Sequence, residues 1–191
     1  MTLWVRKTQL IAGVDEAGRG ALFGPLVAAA VILHPDKKIN GLRDSKKLSP
    51  KKRESLFAEI TEKSIAWSFS LGTLEEIEEK NVLKASLLAM KRAIEGLSTK
   101  PELVLVDGLY SPPGLNLEVR TIIRGDELEP SISAASIVAK VIRDRIIISM
   151  SKLFSNFGLE RNKGYGTLFH RNSIIKFGPT PFHRSSFVLK Y

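Results

Sequence analysis

The chain has 191 residues, 43% hydrophobic and 26% charged, proportions that suit one folded domain with a full core and argue against a disordered chain. Without a cysteine it forms no disulfide, no thiolate zinc site and no cysteine nucleophile. Lysine and arginine number 29 against 20 acids, and the resulting charge of +9 favours a polyanionic partner, nucleic acid first; a solubilising surface or an acidic protein partner would give the same sign.

No apolar run approaches the roughly 20 residues needed to span a bilayer; the longest near the start is Leu26–Leu33. The N-terminal MTLWVRKTQL lacks the apolar core of a secretory signal, so a cytoplasmic chain without membrane association is expected. No repeat, low-complexity stretch or domain boundary interrupts it, and residues 1–191 are read as a single domain with a short C-terminal tail.

The first element is IAGVDEAGRG, Ile11–Gly20. An apolar strand stops at two adjacent carboxylates, Asp15 and Glu16, and a turn follows in which Arg19 stands between Gly18 and Gly20. Buried strands commonly end in a turn, but not in a pair of acids. The acids suggest divalent-metal chemistry, and the flexible glycines suggest close backbone approach to an anion.

Leu26–Leu33 is a second strand, apolar on both faces and therefore buried on both. A strongly basic loop follows, with Lys46 and Lys47 in DSKKLS, until Ser49 and Pro50 start a helix to about Lys63 with Leu56, Phe57 and Ile60 as its apolar stripe. Ser64–Leu71 is a third strand. Thr73 caps a short acidic helix and Asn81 the next, in which Leu83, Leu87, Met90 and Ile94 recur every three or four residues before Gly96.

Leu103–Val106 is a fourth strand stopping at Asp107-Gly108, and Leu117–Ile123 a fifth that leads into Arg124-Gly125-Asp126, a third strand end with an acid. Pro130 and Ser131 open a long helix to about Leu153, with Ile132, Ala135, Val138, Ile142 and Ile146 along one side. NKGYGT, Asn162–Thr167, is a Gly-rich loop presenting an exposed Tyr165, and a short helix follows to Phe177.

Short links predict an antiparallel meander of the first three strands, and the helices after the third let the fourth return parallel beside the first. The expected fold class is α/β, a five-stranded mixed sheet flanked by helices. Neighbouring strands lie about 5 Å apart, so Asp15 and Asp107 would face one another, with Asp126 and Glu16 completing the group. Crowded acids raise one another's pKa until a cation relieves them. Oxygen donors alone favour Mg²⁺ or Mn²⁺ over zinc, and a pair of such ions suits phosphodiester hydrolysis by water. The plainer alternative is that each acid caps a turn or pairs with a lysine.

DEAGRG with GPLVAAAVIL, then DSKKLS, NVLKASLLAMKRAI, VDG, GD, SISAASIVAKVIRDR, GYGT and HRSSF together resemble bacterial ribonuclease HII, in that family's order and from Leu10 to Phe187. Each motif alone is modestly specific; the ordered set is highly specific. The resemblance implies a ribonuclease H-like fold and an Mg²⁺- or Mn²⁺-dependent endoribonuclease. Its expected substrates are RNA/DNA hybrids and duplex DNA containing ribonucleotides, incised on the 5′ side to leave 3′-hydroxyl and 5′-phosphate ends. By motif, Asp15, Glu16, Asp107 and Asp126 are the catalytic, metal-binding acids. Gly18, Arg19 and Gly20 would contact the 2′-hydroxyl and nearby phosphates, Tyr165 the sugar at the RNA–DNA junction, and Lys46 and Lys47 phosphates. A monomer is expected, with a replication or repair protein as a further partner.

Some features depart from the family pattern. Ala21 stands where proline commonly follows GRG, and Glu127 and Glu129 place two extra acids beside the site. The chain stops soon after HRSSF, which would shift duplex grip to Lys46–Arg53 and Lys84–Lys91. About ten residues precede the first strand, unlike the sister ribonuclease HIII type with its N-terminal substrate-binding domain. Asp144, between Arg143 and Arg145, reads first as a structural ion pair; His183 and Arg184 either touch the duplex or pack the tail.

Overall fold

The computed structural model describes residues 9–187, so most of the N-terminal stretch discussed above lies outside the described residues. Its five strands, β1 (Ile11–Ala17), β2 (Leu26–Ile32), β3 (Ala66–Gly72), β4 (Leu103–Asp107) and β5 (Glu118–Ile122), form one sheet in the order β3-β2-β1-β4-β5. The β1–β2 and β2–β3 pairs are antiparallel, whereas β1–β4 and β4–β5 are parallel. This is the expected mixed sheet, although only the β1–β2 link is short; β2 and β3 pair antiparallel across a long connection that carries α1.

β2 is buried along its whole length, as its two-sided apolar sequence predicts. Side chains alternate along each strand, so the two faces carry separate cores. Ala12, Val14, Ala28, Ala30, Val104 and Val106 pack with α2 (Leu74–Lys80) and α3 (Val82–Glu95). Ala17, Val27, Ala29 and Val31 pack with α1 (Pro50–Lys63) and α5 (Pro130–Ser151) on the other side.

The helix starts follow their local signals. Ser49 Oγ accepts from the Lys52 amide, Thr73 forms a capping box with Glu76, and Asn81 accepts from the amides of Leu83 and Lys84. The inward face of α3 differs from the expected leucine stripe. Ala85, Ala89 and Ala93 are buried beside Met90 and Ile94, while Leu87 is only partly buried. Small side chains let this helix lie close to the sheet, an advantage that hydrophobicity alone does not reveal.

The tightest approach joins β1 to α5. A Cβ on Gly13 would stand 2.0 Å from the carbonyl carbon of Ser131, so only glycine admits the helix here. The first half of α5 is consequently buried almost all round, from Ser131 to Ala139.

Two small segments escape the periodicity. A 3-10 turn, Ser45–Lys47, is capped by Asp44, whose Oδ1 accepts from the Lys46 amide at 2.9 Å. The helical turn α4 (Gly125–Leu128) follows Arg124, a left-handed residue with φ of 56°. Asp126 therefore belongs to the first turn of a short helix and not to a strand end, because Arg124 reverses the chain just after β5. The last elements, α6 (Leu159–Asn162) and α7 (Leu168–Phe177), enclose a smaller core of Phe23, Ile147, Phe157, Leu159 and Ile174. Among the described residues no helix is long and apolar enough to cross a membrane.

Candidate active site

The β1–β4 register pairs Val14 with Val106, so Asp15 and Asp107 occupy the next level, where the parallel ladder ends. β1 does not stop at its acids as expected but runs on to Ala17, because β2 continues to pair with it. Since Val14 and Val106 point into the α3-side core, alternation sends both carboxylates toward α5. Asp15 is 4% exposed, and its Oδ1 accepts from the Glu16 amide at 2.7 Å. Burial, then the charges of Glu16 and Asp107, raise its carboxyl well above the ordinary range, against a hydrogen bond from Ser136. Burial also raises Glu16, opposed by the Arg19 guanidinium 3.1 Å away.

Asp107 Oδ1 accepts from the Gly125 amide at 2.8 Å, tying the end of β4 to α4 and so locating Asp126. Asp126 is buried, and burial followed by the charge of Asp107 raises its carboxyl. Ser133 Oγ donates to the Asp126 carbonyl at 2.7 Å, while Ser136 Oγ lies 2.9 Å from Ser45 Oγ. The serines of α5 thus stitch the acid-bearing segments together.

Lys46 Nζ stands 3.7 Å from Asp44 and 3.6 Å from Asp126. Desolvation presses on its ammonium, but Asp44, Asp126 and Asp15 prevail and hold its pKa up. Lys47 pairs with Glu127 at 2.9 Å, so that extra acid is neutralised by a neighbour. Glu129 takes the N-cap position of α5, where negative charge suits the helix dipole.

Among the described residues no group of three or more His, Asp or Glu side chains forms a ready-made metal arrangement. The acids are gathered, yet each has another partner: Arg19 for Glu16, the Gly125 amide for Asp107, Lys46 for Asp126. Like charges do not converge unaided. The all-oxygen donor set, with a buried Asp15 raised by Glu16 and Asp107, nonetheless fits a hard divalent cation, which relieves that repulsion.

A cleft of about 670 Å³ opens here, lined by Asp15, Glu16, the Gly18–Gly20 turn, Lys46, Asp107 and Tyr165, with Arg53 and Lys140 on its basic side. Asp144 is held by Lys140 at 2.7 Å and approached by Arg53 at 3.9 Å. It is an ion-pair residue as expected, but not with its neighbours Arg143 and Arg145. Adjacent helix residues point in different directions, and Arg145 reaches Glu54 instead. Lys84 and Lys91 line no part of this cleft; they ride on α3 across the sheet, and Lys91 lies 3.8 Å from Glu95.

The glycine turn hangs on two buried guanidinium groups. Gly18 has φ of 96°, and a Cβ there would meet Arg143 Nε at 2.0 Å. Arg143 is fully buried and donates to the carbonyls of Pro25 at 3.1 Å, Phe23 at 3.1 Å and Lys163 at 2.9 Å. Arg184 donates to the Gly24 carbonyl at 2.8 and 3.0 Å and to the Arg19 carbonyl at 2.9 Å. Of the two expectations for Arg184, packing prevails. Tyr165 bridges to Ala21, and its ring is partly buried, with Lys140 and Arg143 at 5.3 and 5.2 Å from its centre. The tyrosine is thus held in place and not freely exposed.

His183 also packs: its ring centre lies 5.1 Å from that of Phe23 and 4.9 Å from that of Phe157. Burial and then the neighbouring His170 press its pKa from 6.5 down to about 4. The unfolded chain therefore binds this proton first as pH falls, so the stability is complete above about 6.5 and drains away toward about 4. Melting temperature should decline across that interval, and a His183→Asn variant should show a flatter profile in the same thermal scans.

Helices on both sides of a β3-β2-β1-β4-β5 sheet, with acids where the ladder of its central parallel pair ends, define the ribonuclease H-like fold. Ribonuclease H2 from Pyrococcus horikoshii OT3 shares it, with 29% identity, 93% of each chain covered and a TM-score of 0.77. The RNase HII solved with PCNA from Archaeoglobus fulgidus is also 29% identical, over 95% of this chain and 96% of that one, with a TM-score of 0.79. Residues 12–190 match the family model for ribonuclease HII, and ribonuclease HII of Marinomonas sp. (strain MWYL1) is 53% identical over 178 residues, 93% of this chain and 89% of that protein. The chain belongs to the ribonuclease HII family. It is a hydrolase of the ribonuclease H class, a metal-dependent endoribonuclease of RNA/DNA hybrids.

Three residues in or behind the cleft lie within the quoted motifs, yet nothing in the motifs marks what they do. Ser136 hides in the small, apolar run SISAASIVAK, where its three-residue spacing from Ser133 is the one available signal. Asp44 precedes the conspicuous lysines of DSKKLS, and nothing local marks Arg143 as a ligand of backbone carbonyls.

Proposed function

We propose that residues 1–191 act as one catalytic domain, a cytoplasmic monomer that incises duplex DNA 5′ to embedded ribonucleotides and leaves 3′-hydroxyl and 5′-phosphate ends. The observation that supports this reading is the shared cleft: the Gly18–Gly20 turn and Tyr165 line the same space as Asp15 and Asp107. A ribose is distinguished from deoxyribose only by its 2′-hydroxyl, so the reader of the sugar must stand beside the chemistry.

In this reading Asp15, Glu16, Asp107 and Asp126 hold Mg²⁺ or Mn²⁺, two ions in the working enzyme, and the metal supplies charge neutralisation and a more acidic water. Arg184 holds the turn by the Arg19 carbonyl, while Arg143 packs against Gly18 and ties down the following segment at Phe23 and Pro25. Together they keep the backbone of Gly18, Arg19 and Gly20 in position for the 2′-hydroxyl and adjacent phosphates. The Tyr165 ring packs against the junction sugar. Lys46 and Lys47 exchange carboxylate partners for phosphate oxygens as the duplex docks. A replication or repair protein as partner draws support from the PCNA complex of the Archaeoglobus relative.

The test is a duplex containing one ribonucleotide, incubated with Mg²⁺, Mn²⁺ or EDTA, with the product ends mapped. Metal-requiring incision on the 5′ side is expected; cutting confined to continuous RNA, or persisting in EDTA, refutes the reading. Tyr165→Ala should lower incision at the single ribonucleotide about tenfold, the worth of one well-packed aromatic contact, with little change in melting temperature.

A further inference from the structure

Behind Tyr165 two imidazoles meet with their Nε2 atoms 3.1 Å apart. Their tautomers follow from the outer partners. The Thr180 amide donates to His183 Nδ1 at 2.9 Å, so the His183 proton is on Nε2 and points to His170 Nε2. His170 Nε2 then accepts, its proton is on Nδ1, and that N–H donates to the Tyr165 carbonyl at 3.0 Å. Only this assignment satisfies all four ring nitrogens. His170 is fully buried on α7, and the His183 backbone bridges to Phe23 just beyond the glycine turn.

We propose that the His170–His183 relay is a positioning device that sets the height of the Tyr165 ring and thereby the preference for a single embedded ribonucleotide over continuous RNA. The inference rests on the proposed contact between Tyr165 and the junction sugar. At a single ribonucleotide the sugar next to the scissile ribose is a deoxyribose, which offers the ring an apolar face. In continuous RNA that position carries a hydroxyl, so a ring held at the height of a deoxyribose gains most at the junction. The relay anchors the Tyr165 backbone to the segment that also carries Arg184, and so couples the sugar-packing ring to the glycine turn.

Two substitutions separate positioning from mere packing. His170→Asn retains an amide N–H near the Nδ1 position, within reach of the Tyr165 carbonyl. His170→Gln places its amide near Nε2, facing His183, and abandons that carbonyl. With kcat and KM measured on both substrates, Gln should lower the ratio of single-ribonucleotide to continuous-hybrid kcat/KM about tenfold, and Asn should hold it within about twofold. Equal losses on both substrates in both variants, or an unchanged ratio in Gln, overturn the proposal.

Nitrogen-15 spectra of the native protein, which has three histidines, provide a measurement that requires no variant to fold. Protons on His170 Nδ1 and His183 Nε2 are expected, and any other tautomer pair refutes the relay. Tyr165→Ala distinguishes the two levels. If it leaves the substrate ratio unaltered, the sugar-contact reading fails and the relay proposal falls with it; if it shifts the ratio while His170→Gln does not, only the relay proposal fails.

Discussion

Asparagine at Asp15 is expected to abolish cleavage and, in the same protein, to raise the melting temperature measured in EDTA. Asp15 is buried beside Glu16 and Asp107, and burial and those two charges all favour its neutral form. A carboxyl whose folded pKa is raised stabilises the fold at low pH and costs stability as pH climbs through that value. The amide keeps the shape and removes the charge, so the metal-free variant should melt higher by roughly 2–4 °C for each kcal/mol of repulsion relieved. It should also lose the share of stability loss with rising pH that the Asp15 carboxyl itself contributes, leaving the opposite His183 contribution in place.

The catalytic loss has the same origin. Removing one ligand of a charge-neutralising metal forfeits several kcal/mol in the transition state, about a thousandfold or more in rate. Mg²⁺ should raise the melting temperature of the native protein through preferential binding to the folded state, and do so far less for the asparagine variant. Retained turnover, or a lower melting temperature in EDTA, would falsify the assignment of Asp15.

Arg143→Met should produce the largest loss of stability. Its guanidinium ties three carbonyls, from Phe23, Pro25 and Lys163, and has no exposed surface. Methionine fills part of the volume but leaves those buried acceptors unpaired, at a cost of about 3–5 kcal/mol, or roughly 10 °C in melting temperature. Lysine should recover little, because one ammonium on a flexible stem does not reproduce a planar fork of donors. The same variants should raise KM for duplex, since the Gly18–Gly20 turn loses its support. A methionine variant that melts within about 2 °C of the native protein contradicts this account.

These two residues mark how far the sequence reaches. The acids of DEAGRG and VDG are legible because an apolar run that meets a carboxylate is a local anomaly, visible within a few residues, even though β1 itself continues to Ala17. The caps at Ser49, Thr73 and Asn81 are legible for the same reason: donor and acceptor lie two or three residues apart. Pairing β1 with β4 required more, but connection rules for parallel strands narrow the choice, and the observed register places Asp15 beside Asp107.

The tertiary structure alone decided the partners. Arg143 and Asp144 are adjacent in the chain, yet one is bound by carbonyls as distant as Phe23 and the other by Lys140 and Arg53. Such choices depend on which surfaces the packed sheet brings together, and a single position in a list of residues does not encode them. Arg124 is similar: its left-handed turn, which carries Asp126 back over Asp107, is a conformation that its residue type disfavours and the surrounding contacts impose. The sequence thus determined the acids, the caps and the placing of the first four strands, since each rests on neighbours or on chain connectivity. The relay behind Tyr165, the carbonyl grip of the two arginines and the position of Asp126 rest on groups brought together from remote parts of the chain, and packing decided them.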